Sequence, residues 1–223
     1  MKNIKANARI IFEKYKHAWV FLYGLIYMPW FCYLEKTVTT NYYVIHSVFD
    51  DYIPFCEIFV VPYLLWFPYM AAVAIYFFKY DKQGFYRAAA YICSGMTIFL
   101  VISTILPNGL ALRPMSFPRE NLFTELVKIV YMADTPTNVL PSLHVYNSVA
   151  AYAALSTSQA FRGHRHLSRG CLVLSISIVL STMFIKQHSV VDVVAGLIMA
   201  YLMYQFVYEP ETRKVPGLAR QTI

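Results

Sequence analysis

Charge is scarce in this sequence. Only 14% of its 223 residues are Asp, Glu, Lys or Arg, while 58% are hydrophobic, and the mean hydropathy is +0.47. Soluble domains carry roughly a quarter charged residues, so an ordinary soluble domain is excluded. Cysteine is sparse too. Cys32, Cys56, Cys93 and Cys171 include no CxxC and no Cys/His spacing of a zinc site. They read as small buried hydrophobes within or beside apolar runs, with a Cys32–Cys56 disulfide left open. No internal repeat, low-complexity tract or linker interrupts the chain, which implies one domain over residues 1–223. The apolar run behind the basic first 17 residues lacks a small-residue cleavage site, so it reads as a retained span.

What the chain does have is long apolar runs, and about 20 such residues cross a bilayer. The expectation is an all-α integral membrane protein, a six-transmembrane-helix bundle. Its spans fall near residues 17–34, 57–78, 86–106, 144–161, 168–185 and 189–208. The net charge of +7 could suit nucleic acid, but the basic residues lie between apolar runs and not in one module. On one side fall Lys2, Lys5, Arg9, Lys14, Lys16, Lys79, Lys82, Arg87, Arg162, Arg165, Arg169, Arg213, Lys214 and Arg220. The other side keeps Lys36, Arg113, Arg119, Lys128 and Lys186. The positive-inside rule puts the first set, and both termini, in the cytoplasm of a multi-pass cell-membrane protein. An even number of spans requires the same. Two long outer segments result. Residues 35–56 mix aromatic and acidic residues and read as interfacial or re-entrant, and residues 107–143 carry Arg113, Arg119, Glu120, Asp134 and several prolines.

Ionisable residues at span edges need a polar cavity or partners. His188 and Asp192 are four apart, hence on one helical face. A carboxylate beside an imidazole fixes its tautomer and frees the other ring nitrogen; a pair facing a wet vestibule is the plainer alternative. His144 follows Pro141-Ser142-Leu143, where Ser142 can cap a helix whose free N–H groups suit phosphate; an interfacial histidine is its alternative. Arg113 presents a fork matching phosphate oxygens, or anchors a lipid headgroup. Lys186, two residues before His188, is either a phosphate-binding cation or a lysine snorkelling to the interface. Tyr63, Trp66 and Tyr69 read as packing or interface anchors. Two histidines also allow haem, and His/His/Asp a metal; both are weak readings, and the expectation is no cofactor and no metal.

Pro141-Ser142-Leu143-His144 resembles the PSGH motif of the type-2 phosphatidic acid phosphatase (PAP2) superfamily, with leucine for glycine. Ser181-Thr182 through His188 to Asp192 is similar to that family's SRxxxxxHxxxD, and Arg113-Pro114 to the end of its KxxxxxxRP. Order and sidedness agree across residues 86–208. The resemblance implies a metal-independent hydrolase of lipid phosphates with a phosphohistidine intermediate. In it His188 attacks phosphorus, Asp192 orients it and His144 protonates the leaving alkoxide. Ser142, Arg113, Ser181, Thr182 and Lys186 are the implied phosphate-binding candidates. The partners implied are the bilayer and a phosphatidic acid, phosphatidylglycerol phosphate or isoprenyl diphosphate, with no nucleic acid. The family's lysine and one arginine fall on Leu106 and Thr182. PSLH with Ser-Thr is also similar to the inositol phosphorylceramide synthase-like branch, whose head-group transferases use an alcohol as acceptor. A lipid carrier that kept the fold without the activity is the non-enzymatic alternative.

Overall fold

The computed structural model describes residues 13–161 and 163–208. Of the basic residues that set the expected sidedness, Lys2, Lys5, Arg9, Arg162, Arg213, Lys214 and Arg220 lie outside the described residues. A 3₁₀ stretch, Lys16–Tyr23, runs into α1 (Gly24–Thr37). Strand β1 (Tyr43–Val44) and the short α2 (Val48–Tyr52) follow. A turn at Glu57–Phe59 opens α3 (Val60–Tyr80), which meets α4 (Lys82–Ile105) across Asp81. Strand β2 (Asn108–Gly109) precedes α5 (Leu122–Ala133), α6 (Leu143–Thr157), α7 (Arg165–Phe184) and α8 (Val190–Val207).

The described residues are mostly helical, and among them four helices are long and apolar enough to cross a membrane: Glu57–Tyr80, Lys82–Ile105, Arg165–Phe184 and Val190–Val207. Their outer surfaces expose large apolar side chains, among them Phe67, Ile75, Val173, Ile198 and Phe206, as a lipid-facing surface does. The other two expected spans are helical as well, and every boundary falls within four residues of its expected place. Helix α6 differs in kind. Its 15 residues reach only about 22 Å. It is the buried axis of the bundle, packed against α4, α7 and α8. Gly95 and Gly196 permit that approach. A Cβ on Gly95 would meet the Tyr146 ring at 2.1 Å, and one on Gly196 the Ser142 carbonyl at 2.8 Å. Two buried tyrosines then tie three helices, the Tyr146 hydroxyl donating to the Tyr91 carbonyl and the Tyr91 hydroxyl to the Ala200 carbonyl, each at 2.6 Å.

The connections at one end of the bundle form a lid of short elements. β1 pairs in parallel with β2, Tyr43 opposite Asn108 and Val44 opposite Gly109. The stretch 107–143, expected only as a long outer segment, contains α5. Asn121 caps it, accepting from Thr124 N–H at 3.0 Å, and Val127 and Val130 bury against Val60, Tyr63 and Ile185. The cysteines correct their expectation. All four are free thiols, Cys32 exposed and the others half-buried. Cys32 sits on the outer side of α1, where an apolar solvent would make exposure of a thiol inexpensive.

Candidate active site

Ser189 and Ser142 set the local frame. Ser189 caps α8, accepting from Val191 N–H at 3.1 Å, so Asp192 falls in the first helical turn, where the free amides favour an anion. Asp192 is fully buried. Its Oδ2 lies 2.8 Å from His188 Nδ1 and its Oδ1 accepts from Val193 N–H at 3.1 Å. With Asp192 ionised the carboxylate only accepts, which places a proton on Nδ1. Ser142 caps α6 by accepting from Val145 N–H at 3.4 Å, and its own N–H donates to the Asp192 carbonyl at 3.0 Å. The start of α6 is thereby pinned to the first turn of α8. His144, two residues further on, meets His188 edge to face with ring centroids 5.6 Å apart. Its ring packs on Tyr63 and Trp66 of α3, each at 4.6 Å, and its Nε2 has no hydrogen-bond partner in the protein.

The turn that presents His188 is built from two directions. Lys186 takes a left-handed conformation (φ 56°), and the Gln187 and His188 N–H groups both donate to the Thr182 carbonyl at 2.9 and 3.0 Å. From outside, Asp50 of α2 grips the same turn. Its Oδ2 accepts from Ser189 Oγ at 2.6 Å and Ser47 N–H at 2.7 Å, and its Oδ1 from Val190 N–H at 2.8 Å.

Both imidazoles open on a cavity of about 490 Å³, walled mainly by apolar and aromatic side chains with Glu35, Asp134, Asn138, Asn147 and Gln187 as its main polar groups. Burial pushes the Asp134 carboxyl above its ordinary value, opposed by His188, by Arg113 and by the Tyr63 hydroxyl that donates to it at 3.2 Å. Among the described residues, no three His, Cys, Asp or Glu side chains converge as metal ligands would.

The family model of the PAP2 superfamily matches residues 87–214, more than half of the chain. The chain belongs to the PAP2 superfamily. No curated protein and no solved structure matches it. PAP2 members are phosphatases or related phosphoryl transferases acting on lipid phosphates, and the matched segment holds α6, α8 and both cavity histidines.

Within this PAP2 member the eight expected site residues divide. His144 and His188 line the cavity and Asp192 stands behind His188. The other five do not line it. Arg113 spends its guanidinium on the protein. Nε and Nη2 donate to Gln187 Oε1 at 3.1 and 2.6 Å, Nη1 to the Tyr131 carbonyl at 3.0 Å and Nη2 to the Asp134 carbonyl at 2.8 Å. It also stacks on the Tyr131 ring at 4.4 Å. Desolvation lowers its pKa and Asp134 opposes that. Lys186 donates to the Asp50 carbonyl at 2.8 Å and to that of Ile53. Ser181 and Thr182 donate to the Ile178 and Val179 carbonyls of their own helix at 2.6 and 2.7 Å, and Ser142 is a buried cap. Four of the five thus donate to carbonyl or amide oxygens of the protein, and Ser142 accepts a helix-capping bond.

Other site residues escaped the sequence reading. Tyr63 and Trp66, expected as packing or interface anchors, form the wall behind His144, while Tyr69 is a core residue in contact with Ser175 Oγ at 3.2 Å. Gln187 and Asp50 flank the motif positions, and only contacts between distant segments single them out.

Proposed function

We propose that this PAP2 protein is a single-domain, six-span membrane enzyme, with both termini cytoplasmic and its cavity on the extracytoplasmic side. On this reading it hydrolyses lipid phosphates through a phosphohistidine. The observation that carries the reading is the pair of imidazoles edge to face in one cavity, one of them held by a buried carboxylate. His188 Nε2 attacks phosphorus while Asp192 keeps Nδ1 protonated and the ring in place. His144 gives a proton to the leaving alkoxide, then takes one from the water that releases phosphate. Such positioned acid–base groups contribute about 10²–10⁴-fold. Arg113 acts at one remove, holding Gln187 and the end of α5 beside the nucleophile. The positive-inside distribution of basic residues supports the sidedness.

Incubating the purified protein with phosphatidic acid, a phosphatidylglycerol phosphate or an isoprenyl diphosphate tests it. Phosphate is released, release persists in chelator, and His188→Ala lowers it by several orders of magnitude. Full activity in His188→Ala sinks the proposal.

One observation favours a second reading, transfer to an alcohol: Pro141-Ser142-Leu143-His144 with Ser181-Thr182 is similar to the head-group transferase branch of the superfamily. Turnover that requires an added head-group alcohol distinguishes it.

A further inference from the structure

The charge of the cavity favours a phosphate ester that carries a cation over a phosphomonoester dianion. Among the described residues its wall holds two carboxylates, Glu35 and Asp134, and neither lysine nor arginine. A third carboxylate, Asp192, lies behind His188. The nearest guanidinium, Arg113, is engaged by Gln187 and two carbonyls. Lys186 faces away, onto the Asp50 and Ile53 carbonyls. Like charges at close range disfavour binding, whereas a phosphate ester that brings its own cation is matched.

One stripe of α1 supplies the matching surface. Tyr27, Phe31 and Glu35 are spaced four apart and all line the cavity. The Tyr27 and Phe31 rings stack at 5.7 Å. The Glu35 carboxylate is fixed between Thr135 Oγ1 at 2.5 Å and Asn138 Nδ2 at 2.9 Å, which leaves acceptor lone pairs unused. Two aromatic faces ending in an immobilised carboxylate form a subsite for an alkylammonium group, by cation–π and charge-assisted contact.

Resting on the phosphohistidine reading, we propose that the substrate is a zwitterionic lipid phosphodiester whose alkylammonium end docks on Tyr27, Phe31 and Glu35 while its phosphorus faces His188. The bond from phosphorus to the lipid oxygen breaks as the bond to His188 Nε2 forms, and that oxygen takes its proton from His144. Water then attacks phosphorus and gives a proton to His144, and the nitrogen–phosphorus bond breaks to release the phosphorylated amino alcohol.

The test uses the purified full-length protein and diacylglycerol carrying phosphoethanolamine, phosphoglycerol or a bare phosphate, with diacylglycerol release as readout. The ethanolamine diester turns over at least about tenfold faster than either anionic lipid. Glu35→Gln lowers its kcat/KM by about 10–100-fold, the worth of a charge-assisted bond, and narrows the rate ratio between the ethanolamine and phosphoglycerol diesters. Phe31→Leu, which spares the Glu35 contacts, cuts the same preference and carries the test should Glu35→Gln not fold. Phosphatidic acid as the fastest substrate, with loss of activity in His188→Ala, overturns the substrate class and spares the histidine mechanism. Equal losses on all lipids in Glu35→Gln and Phe31→Leu reduce the stripe to a structural tie and overturn the proposal. Survival of activity in His188→Ala overturns the mechanism itself.

Discussion

Asp50 does for the active-site turn what no residue of the turn can do alone. Its carboxylate accepts from the Ser47 and Val190 amides and from the Ser189 hydroxyl. An amide in its place sets an NH₂ group against one of those N–H donors. Asp50→Asn is therefore expected to cost about 1.5–3 kcal/mol of stability, read as a lowered thermal midpoint in detergent. It also lowers kcat with KM little changed, because the turn that aims His188 loosens while the cavity wall stays. Asp134 makes a prediction of opposite character. Its pKa is raised chiefly by burial, so the folded chain holds this proton more tightly than the unfolded one. Stability from this group is present below the unfolded carboxyl value of about 3.9 and is lost as pH rises through the raised folded value. Asp134→Asn removes that decline, and the difference in melting midpoint between variant and parent grows in the variant's favour from about pH 4 toward neutrality.

At the level of elements, the bundle depends on how closely α6 can be approached. Gly95 faces the Tyr146 ring so closely that an added methyl would lie 2.1 Å from a ring carbon, and that ring is held by its hydroxyl's bond to Tyr91. Gly95→Ala is expected to destabilise by about 1–3 kcal/mol through overpacking. Gly24→Ala, with nothing within 4 Å of the new methyl, is neutral or slightly stabilising, so the pair of thermal midpoints separates packing from helix propensity. Helix α5 shows how local signals can be overlooked. Phe123, Leu126, Val127, Val130 and Tyr131 follow helical spacing behind the Asn121 cap, yet prolines around them make the whole stretch read as loop.

At the scale of the molecule, the polar site and the lid gather at one end of the bundle, while His17, 2.9 Å from the Phe78 carbonyl, marks the other. The proposed topology puts Lys36 outside and Asp81 inside. In a cysteine-free background and intact cells, Lys36→Cys reacts with an impermeant maleimide and Asp81→Cys only after permeabilisation; the reverse pattern inverts the topology.

The sequence by itself determined the helices of the six apolar runs, since apolar runs and caps act over a few residues, and it singled out His188, Asp192 and His144, since spacing of four and a Ser cap are local geometry. Only the tertiary structure decided which polar groups are free. Arg113, Lys186, Ser181 and Thr182 are phosphate-ligand candidates in the chain, and in the fold they donate to carbonyl and amide oxygens of the protein. Glu35, Tyr63, Trp66 and Asp50 come to the site from segments far away in sequence. Burial makes an unpaired polar group costly, and which partner lies within reach is a property of the packed bundle.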